Sequence, residues 1–153
     1  MARAAVRHLG EDDAGGTGGE YGGHASWAQQ QGASRQMLSL LGPDWLGPVV
    51  ETEPVVLCGD FNFGVGSPGY KLAITALRDV QSITKGWRPV NTFSSLQPFI
   101  RLDHVFISSH FTVEKLRVPR TQVTRVASDH LPLVADLRLS SSAAAETTMP
   151  KEP

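Results

Sequence analysis

The segment that decides the fold is Pro54-Val55-Val56-Leu57-Cys58-Gly59-Asp60-Phe61-Asn62-Phe63, in which an apolar run leads directly into an acid and an amide. The four consecutive apolar residues predict a strand buried on both faces, because a half-exposed strand would alternate apolar with polar residues. Gly59 allows the backbone to turn where the strand ends. Strand periodicity then predicts that Asp60 and Asn62 point the same way. In α/β proteins, ligands bind at the carboxyl ends of central strands.

Asp60 and Asn62 also have a purely structural interpretation, in which their side chains close a turn by bonding nearby backbone. A second predicted strand, 101–107, favours a functional role for these residues. Its alternation places Asp103 on the apolar face with Val105 and Ile107. A lone carboxylate there is costly unless it is paired. A hydrogen bond with His130 would satisfy Asp103 and fix the tautomer of the imidazole.

Three motifs together resemble the endonuclease/exonuclease/phosphatase superfamily, the DNase I-like metal-dependent phosphoesterases, in its carboxyl-terminal part. They occur in the order found in that family, and Val6-Arg7-His8-Leu9-Gly10 is a weaker fourth match. The three motifs are Gly59-Asp60-Phe61-Asn62, Arg101-Leu102-Asp103-His104-Val105-Phe106 and Ser128-Asp129-His130-Leu131-Pro132. The resemblance implies an α/β fold, part of a four-layer α/β sandwich with a mostly antiparallel mixed sheet and covering helices.

The resemblance also implies a function, namely hydrolysis of a phosphodiester or phosphomonoester with a divalent cation. By the pattern of that family, His130 is the general base oriented by Asp103, and Asp60 positions the attacking water or assists proton transfer. Asn62 holds a phosphate oxygen, and His8 adds a donor on the other side. The metal ligands implied are Asp60, Asn62, Asp129 and His130. Hard oxygen ligands favour Mg²⁺ or Mn²⁺.

The chain departs from the family at its amino terminus, because the upstream half, with its metal-binding glutamate, has no counterpart here. We therefore expect weak metal binding, impaired hydrolysis, and an exposed sheet edge or face that a partner could cover. The alternative function is that of a catalytically inactive fragment or module that binds a phosphorylated ligand or a protein partner.

Two other enzyme classes are disfavoured by the sequence. Gly64-Val65-Gly66-Ser67-Pro68-Gly69 satisfies the dinucleotide pattern G-x-G-x-x-G, but it does not directly follow the strand, and Pro68 removes a backbone donor. A Ser-His-Asp hydrolase would need a G-x-S-x-G elbow, and Ser128 beside Asp129 and His130 is poorly placed as a nucleophile.

Composition sets broad limits on the type of protein. A length of 153 residues with 41% hydrophobic residues suits one domain, and a formal charge of -1 gives no sign of a polyanion partner. The single Cys58 excludes a disulfide or zinc framework. No signal-peptide core and no membrane span are recognisable, which favours a soluble, cytoplasmic protein.

The chain is expected to form one partial domain over residues 1–139, with a flexible glycine-rich loop at 10–24 and a disordered tail at 140–153. Two helices are predicted. One runs from Ser26 to about Leu41, and the other, begun by Ser67-Pro68, spans 70–77. Trp27, Ser34, Met37, Leu38 and Leu41 are expected on one face of the first helix. Residues 78–98 are expected to be irregular, followed by strands at 101–107 and 111–118, a loop, and a buried strand within 131–139.

Overall fold

The computed structural model describes the backbone of residues 3–6 and 27–140, and the side chains of residues 31–140. His8, the loop at 10–24 and the tail beyond Ser140 lie outside the described residues, so the expectations made for them stay predictions. The secondary structure, in chain order, is β1 (Arg3–Val6), α1 (Trp27–Leu40), β2 (Val55–Asp60), α2 (Pro68–Ala76), β3 (Arg78–Asp79), α3 (Val80–Ile83), β4 (Asp103–Ile107), β5 (Phe111–Arg117), α4 (Gln122–Ala127) and β6 (Val134–Leu139).

The main sheet has the strand order β1-β2-β4-β3 and is mixed. β1 runs parallel to β2, whereas β2 and β3 both run antiparallel to β4. Helices α1 and α2 cover one face of this sheet, and a separate antiparallel pair, β5 and β6, packs against the other. The α/β class and the antiparallel character expected from the sequence are both confirmed.

The central strand β2 is less buried than its apolar run suggests. Val55 and Leu57 are fully buried against the helices, whereas Val56 and Cys58, on the other face, are only partly buried. The expectation of burial on both faces is therefore wrong for the second face. Within the described residues, two strands cover that side of the sheet, which leaves it partly open to solvent.

Both predicted helices are present. Ser67 caps α2 by accepting a hydrogen bond from the amide of Tyr70, and Pro68 occupies the first turn, where it loses no helical bond. In α1 the buried stripe consists of Ala33, Met37 and Leu40. Leu38, expected on the covered face, is 58% exposed, because it lies one position beyond that stripe. None of the helices in the described part of the chain has the length and apolarity that a membrane crossing requires.

The second sheet departs from expectation at its last strand. β6 begins only at Val134, after the motif that ends in Pro132, and its side chains are half-buried or exposed. The apolar run therefore forms a strand at the surface of the second sheet, where only its inner face is covered. The amide of Ser140, the first residue of the expected tail, donates to the carbonyl of His110 at 2.7 Å.

The segment expected to be irregular, 78–98, contains β3 and α3. Asp79 caps α3 by accepting a hydrogen bond from the backbone amide of Gln81 at 3.0 Å. The segment between β5 and β6 also contains an unexpected helix, α4. A reciprocal capping box between Thr121 and Thr124 stabilises it, although none of its residues is buried.

The turn after α1 gives a stability prediction. A Cβ atom on Gly47 would lie 2.6 Å from the carbonyl oxygen of Leu41, so Gly47→Ala requires a backbone shift and should cost roughly 1–3 kcal/mol of unfolding free energy. Gly32, inside α1, has open space around it, so Gly32→Ala should stabilise by about 0.5–1 kcal/mol. Urea denaturation of the two variants and the wild type measures both effects. Equal changes in the free energy of unfolding for Gly47→Ala and Gly32→Ala would contradict this description of the turn.

Candidate functional site

The two acids of the central strands face each other. The antiparallel register pairs Asp60, the last residue of β2, directly with Asp103, the first residue of β4. Side chains alternate along each strand, so both acids share the face that carries Val56, Val105 and Ile107. This face packs against the second sheet, and the acids lie at its end, each with about one fifth of its side chain exposed.

His130 joins these acids from the segment before β6. Its Nδ1 lies 2.8 Å from Asp103 Oδ2, and its Nε2 lies 3.8 Å from Asp60 Oδ2. The Asp103–His130 hydrogen bond is the one that the sequence led us to expect. With Nδ1 donating its proton to Asp103, the lone pair of Nε2 faces the side of Asp60.

Residues 92–93 hold His130 in this position. The amide of Leu131 donates to the carbonyl of Thr92 at 2.8 Å, and Phe93 forms a backbone bridge with His130. The ring of Phe93 lies 5.0 Å from the imidazole, centroid to centroid. Thr92 also reaches the other side of the site, where its Oγ1 accepts a hydrogen bond from the amide of Asp103 at 3.4 Å. One buried residue therefore ties both partners of the Asp103–His130 pair together.

The electrostatics of the site raise the pKa of His130. Partial burial by itself lowers the pKa of His130, because a buried cation is poorly solvated. The hydrogen bond to Asp103 and the charges of Asp103, Asp60 and Asp129 outweigh that effect and raise the pKa above its ordinary value. The imidazole is therefore a stronger base than a free histidine.

Asn62 lies outside the strand, contrary to the expectation from strand periodicity. β2 ends at Asp60, and Asn62 adopts a left-handed conformation with φ of 52°. The backbone amide of Asn62 donates to Asp60 Oδ1 at 2.9 Å, so the interpretation in which this pair closes a turn is also correct. Asn62 tolerates this conformation better than most residues, and its side chain is exposed at the end of the sheet.

The turn that carries Asn62 is fastened to β4. The amide of Phe61 donates to the carbonyl of Leu102 at 3.1 Å, and His104 Nε2 donates to the carbonyl of Phe63 at 3.0 Å. His104 is 1% exposed and stacks against Phe63 and Phe106. Burial among these rings lowers the pKa of His104, which keeps the imidazole neutral.

Asp129 lies close enough to His130 to raise the pKa of its imidazole, but its own side chain is exposed. Its carboxylate accepts a hydrogen bond from the hydroxyl of Ser128 at 3.4 Å, and its carbonyl accepts one from the amide of Ser95 at 2.6 Å. Asp129 is not part of the tight cluster formed by Asp60, Asp103 and His130. The remaining expected site residue, His8, is not among the described residues.

The cluster of Asp60, Asp103 and His130 has the donor set of a cation site. One ligand atom from each residue can be chosen so that all lie within 4.8 Å of one another. Carboxylate oxygens are hard ligands that suit Mg²⁺ or Mn²⁺. The sequence led us to expect Asp103 as the partner of the histidine and not as a metal ligand; the antiparallel pairing of β2 with β4 places it beside Asp60.

Sequence reasoning also missed Phe93 as a neighbour of His130. Phe93 lies in the segment expected to be irregular, 78–98, and forms isolated backbone bridges with Ile100 and His130. Its ring contact depends on the pairing of residue 93 with residue 130, and no local pattern in the sequence specifies that pairing.

Comparison with known proteins places this geometry in context. A family model described as the Endonuclease/Exonuclease/phosphatase family matches residues 3–130. The uncharacterized protein YbhP of Escherichia coli is 29% identical over 107 residues, which are 70% of this chain and 42% of YbhP. The chain thus spans less than half the length of the curated relatives that it matches.

Solved structures share the fold at low sequence identity. The human Nocturnin catalytic domain, solved with a bound sulfate anion, has a TM-score of 0.59 and 23% identity, covering 76% of this chain and 44% of that one. A mannosyl-6-phosphatase from Bacteroides thetaiotaomicron has a TM-score of 0.53 and 22% identity, with 75% and 47% covered. A conserved protein of unknown function from Enterococcus faecalis has a TM-score of 0.62 and 20% identity, and the match covers 72% of this chain and 46% of that one. At these identities the likeness concerns the fold alone.

Proposed function

The chain belongs to the endonuclease/exonuclease/phosphatase family, and from that premise we propose that it forms part of a divalent-metal-dependent phosphoesterase. The family is generally hydrolytic, acts on phosphate esters and typically depends on a divalent metal. The observation that carries the proposal is the meeting of Asp60, Asp103 and His130 from three segments distant in sequence. The reaction is hydrolysis of a phosphodiester or a phosphomonoester.

His130 is the general base of this proposal. Asp103 accepts a hydrogen bond from Nδ1 at 2.8 Å, which fixes the ring orientation and leaves Nε2 to take a proton from water. Asp60, 3.8 Å from Nε2, is near enough to orient that water from its other side. The raised pKa of His130 suits this role, because a stronger base removes the proton more readily.

We place the cation at Asp60, with the exposed side chains of Asn62 and Asp129 as further ligands, because Asp103 and His130 of the cluster are bonded to each other. A bound Mg²⁺ or Mn²⁺ would neutralise the charge that develops on the phosphate during hydrolysis. We assign His130 to proton transfer and not to the metal, because Nδ1 is bonded to Asp103 and the single remaining nitrogen cannot hold a cation and accept a proton together.

The contacts of Ser128 weigh against the rival acyl hydrolase. Its Oγ accepts a hydrogen bond from the backbone amide of His130 at 3.1 Å, while the imidazole bonds Asp103. A serine nucleophile needs its hydroxyl against the base nitrogen of the histidine. The hydroxyl of Ser128 instead caps the backbone turn that presents His130.

The proposal predicts metal-dependent hydrolysis. The 153-residue chain should hydrolyse bis(p-nitrophenyl) phosphate or p-nitrophenyl phosphate slowly when Mg²⁺ or Mn²⁺ is added, in line with the impaired hydrolysis expected from the sequence. A chelator should abolish this turnover, because the charge that develops on the phosphate is then not neutralised. Release of p-nitrophenolate measures the rate. Turnover that persists undiminished in the chelator would contradict the metal requirement.

Metal binding is testable without turnover. Paramagnetic Mn²⁺ should broaden the amide resonances of residues 60–62 and 128–130 before those around His110, at the far end of β4. Asp60→Asn should weaken this broadening, because it removes the charge of a proposed ligand. Broadening spread evenly over the chain would refute a cation site at the end of the sheet.

A further inference from the structure

An aromatic path leads from His130 to the protein surface. The ring of Phe93 lies 5.0 Å from the imidazole, and the ring of Phe99 lies 5.5 Å from Phe93 in an edge-to-face arrangement. Phe93 is half-buried, whereas Phe99 is 56% exposed. Phe99 is thus an exposed aromatic ring two contacts away from the proposed general base.

We propose that Phe99, with Phe93 behind it, forms a subsite for a planar apolar group on the alcohol of the phosphate ester. This inference rests on the proposed function, which places hydrolysis of the ester beside His130. It names the substrate class as esters of aromatic or heterocyclic alcohols, in preference to esters of small polyols.

The loop that carries the subsite is held in place. The amides of Phe99 and Ile100 both donate to the carbonyl of Phe93, at 2.8 and 3.1 Å, and the amides of Thr92 and Phe93 donate back to Ile100. At its other side, Ser95 donates through its amide to the carbonyl of Asp129 and through Oγ to the carbonyl of Arg125. The ring of Phe99 is therefore presented on a preorganised turn.

Exposure of a single phenylalanine is common and by itself carries no function. Two observations distinguish Phe99. First, its ring contacts the ring of Phe93, which in turn contacts the imidazole of His130. Second, Leu96 on the same turn is also exposed, to 59%. A planar apolar group bound here would cover surface that otherwise stays in water, and aromatic rings favour edge-to-face or offset contact with such a group.

Two diesters with the same leaving group test the subsite, namely phenyl p-nitrophenyl phosphate and methyl p-nitrophenyl phosphate. The same bond to p-nitrophenolate breaks in both diesters, so the ratio of their kcat/KM values reports on the group that is retained. Comparing this ratio between a variant and the wild type cancels the difference in intrinsic reactivity between the two diesters. Phe99→Ala should lower the preference for the phenyl ester about tenfold, the size of one aromatic stacking contact. Leu38→Ala, at an equally exposed apolar residue on α1, should leave the ratio unchanged.

A change in the ratio of less than twofold for Phe99→Ala, or an equal change for Leu38→Ala, would overturn the subsite. Phe99→Leu provides a second variant, which keeps an apolar side chain but removes the ring and should give an intermediate ratio. Circular dichroism verifies that each variant is folded.

Binding separates the failure of this inference from failure of the proposed function. Phenyl phosphate should bind the wild type about tenfold more tightly than methyl phosphate and shift the ring resonances of Phe99, and this difference should vanish in Phe99→Ala. If neither diester is hydrolysed but this binding difference is present, the hydrolase proposal fails and the subsite stands. Equal affinities for the two phosphates, or no binding of either, would overturn the subsite.

Discussion

His130→Ala is expected to lower the rate of phosphate ester hydrolysis by about 10²–10⁴-fold, the range that a general base contributes. The imidazole is the group in the described site that combines a fixed tautomer with an open nitrogen facing Asp60. Removing it takes away the proton acceptor but leaves both carboxylates in place. The loss should therefore appear mainly in kcat, measured with a p-nitrophenyl ester at saturating metal.

Two companion variants make this result specific. Asp103→Asn should also lower kcat by roughly 10²–10⁴-fold, because the amide no longer stabilises the imidazolium or selects the tautomer. His110→Ala is the matched control, since His110 bonds Ser108 at the opposite end of β4 and should leave kcat near that of the wild type. Full activity in His130→Ala, or an equal loss in His110→Ala, would remove His130 from the reaction.

A measurement without turnover supports the same assignment. In the metal-free protein the pKa of His130 should lie above that of a free histidine, because the hydrogen bond and charge of Asp103 outweigh the effect of partial burial. Asp103→Asn should lower this pKa, since it removes the nearest negative charge. NMR titration of the imidazole resonances measures both values. An unchanged pKa in the variant would mean that Asp103 does not control the basicity of the ring.

The sequence predicted those parts of the site that depend on local pattern and on the cost of burying charge. The apolar run before Gly59 specified β2, and alternation along residues 101–107 placed Asp103 on an apolar face, where it needed a partner. His130 supplied that partner. These inferences succeeded because strand period and charge burial are properties of a few neighbouring residues.

Features fixed by contacts between distant segments were not predictable in the same way. β3 has two residues and α3 has four, so neither contains enough sequence for a period, and both depend on contacts with β4. The exposure of β6 depends on what covers its outer face. The pairing of Phe93 with both Ile100 and His130 likewise depends on tertiary structure.

The buried network around Asp79 gives the largest stability prediction. Asp79→Asn should lower the free energy of unfolding by roughly 3–5 kcal/mol, because it leaves the guanidinium of Arg101 without its charged partner in the interior. Asp79 is 1% exposed and Arg101 is 7% exposed, and the two form an ion pair. The same carboxylate accepts hydrogen bonds from Tyr70 at 2.9 Å and Ser82 at 2.8 Å.

Asparagine is chosen because it removes the charge of Asp79 and keeps the shape of its side chain. It has almost the same volume as aspartate and can still cap α3, so loss of the cap does not contribute. Asp136→Asn is the matched control, because Asp136 pairs with Arg117 at the surface, where both side chains are more than 40% exposed. That change should cost no more than about 1 kcal/mol. Equal costs for the two substitutions, measured by urea denaturation, would contradict the ion pair at Asp79.

The pH dependence of the same pair follows from its electrostatics. Burial raises the pKa of Asp79, but the charge of Arg101 and the hydrogen bonds from Ser82 and Tyr70 outweigh this effect, so the pKa is lowered from its usual range. A lowered pKa in the folded state means stability that is present above the unfolded pKa of about 3.9 and is lost as the pH falls through the folded value. The difference in stability between wild type and Asp79→Asn should therefore be constant near neutral pH and shrink below about pH 4.

Adding Arg101→Met to Asp79→Asn should restore part of the lost stability, because the double variant leaves no unpaired charge in the core.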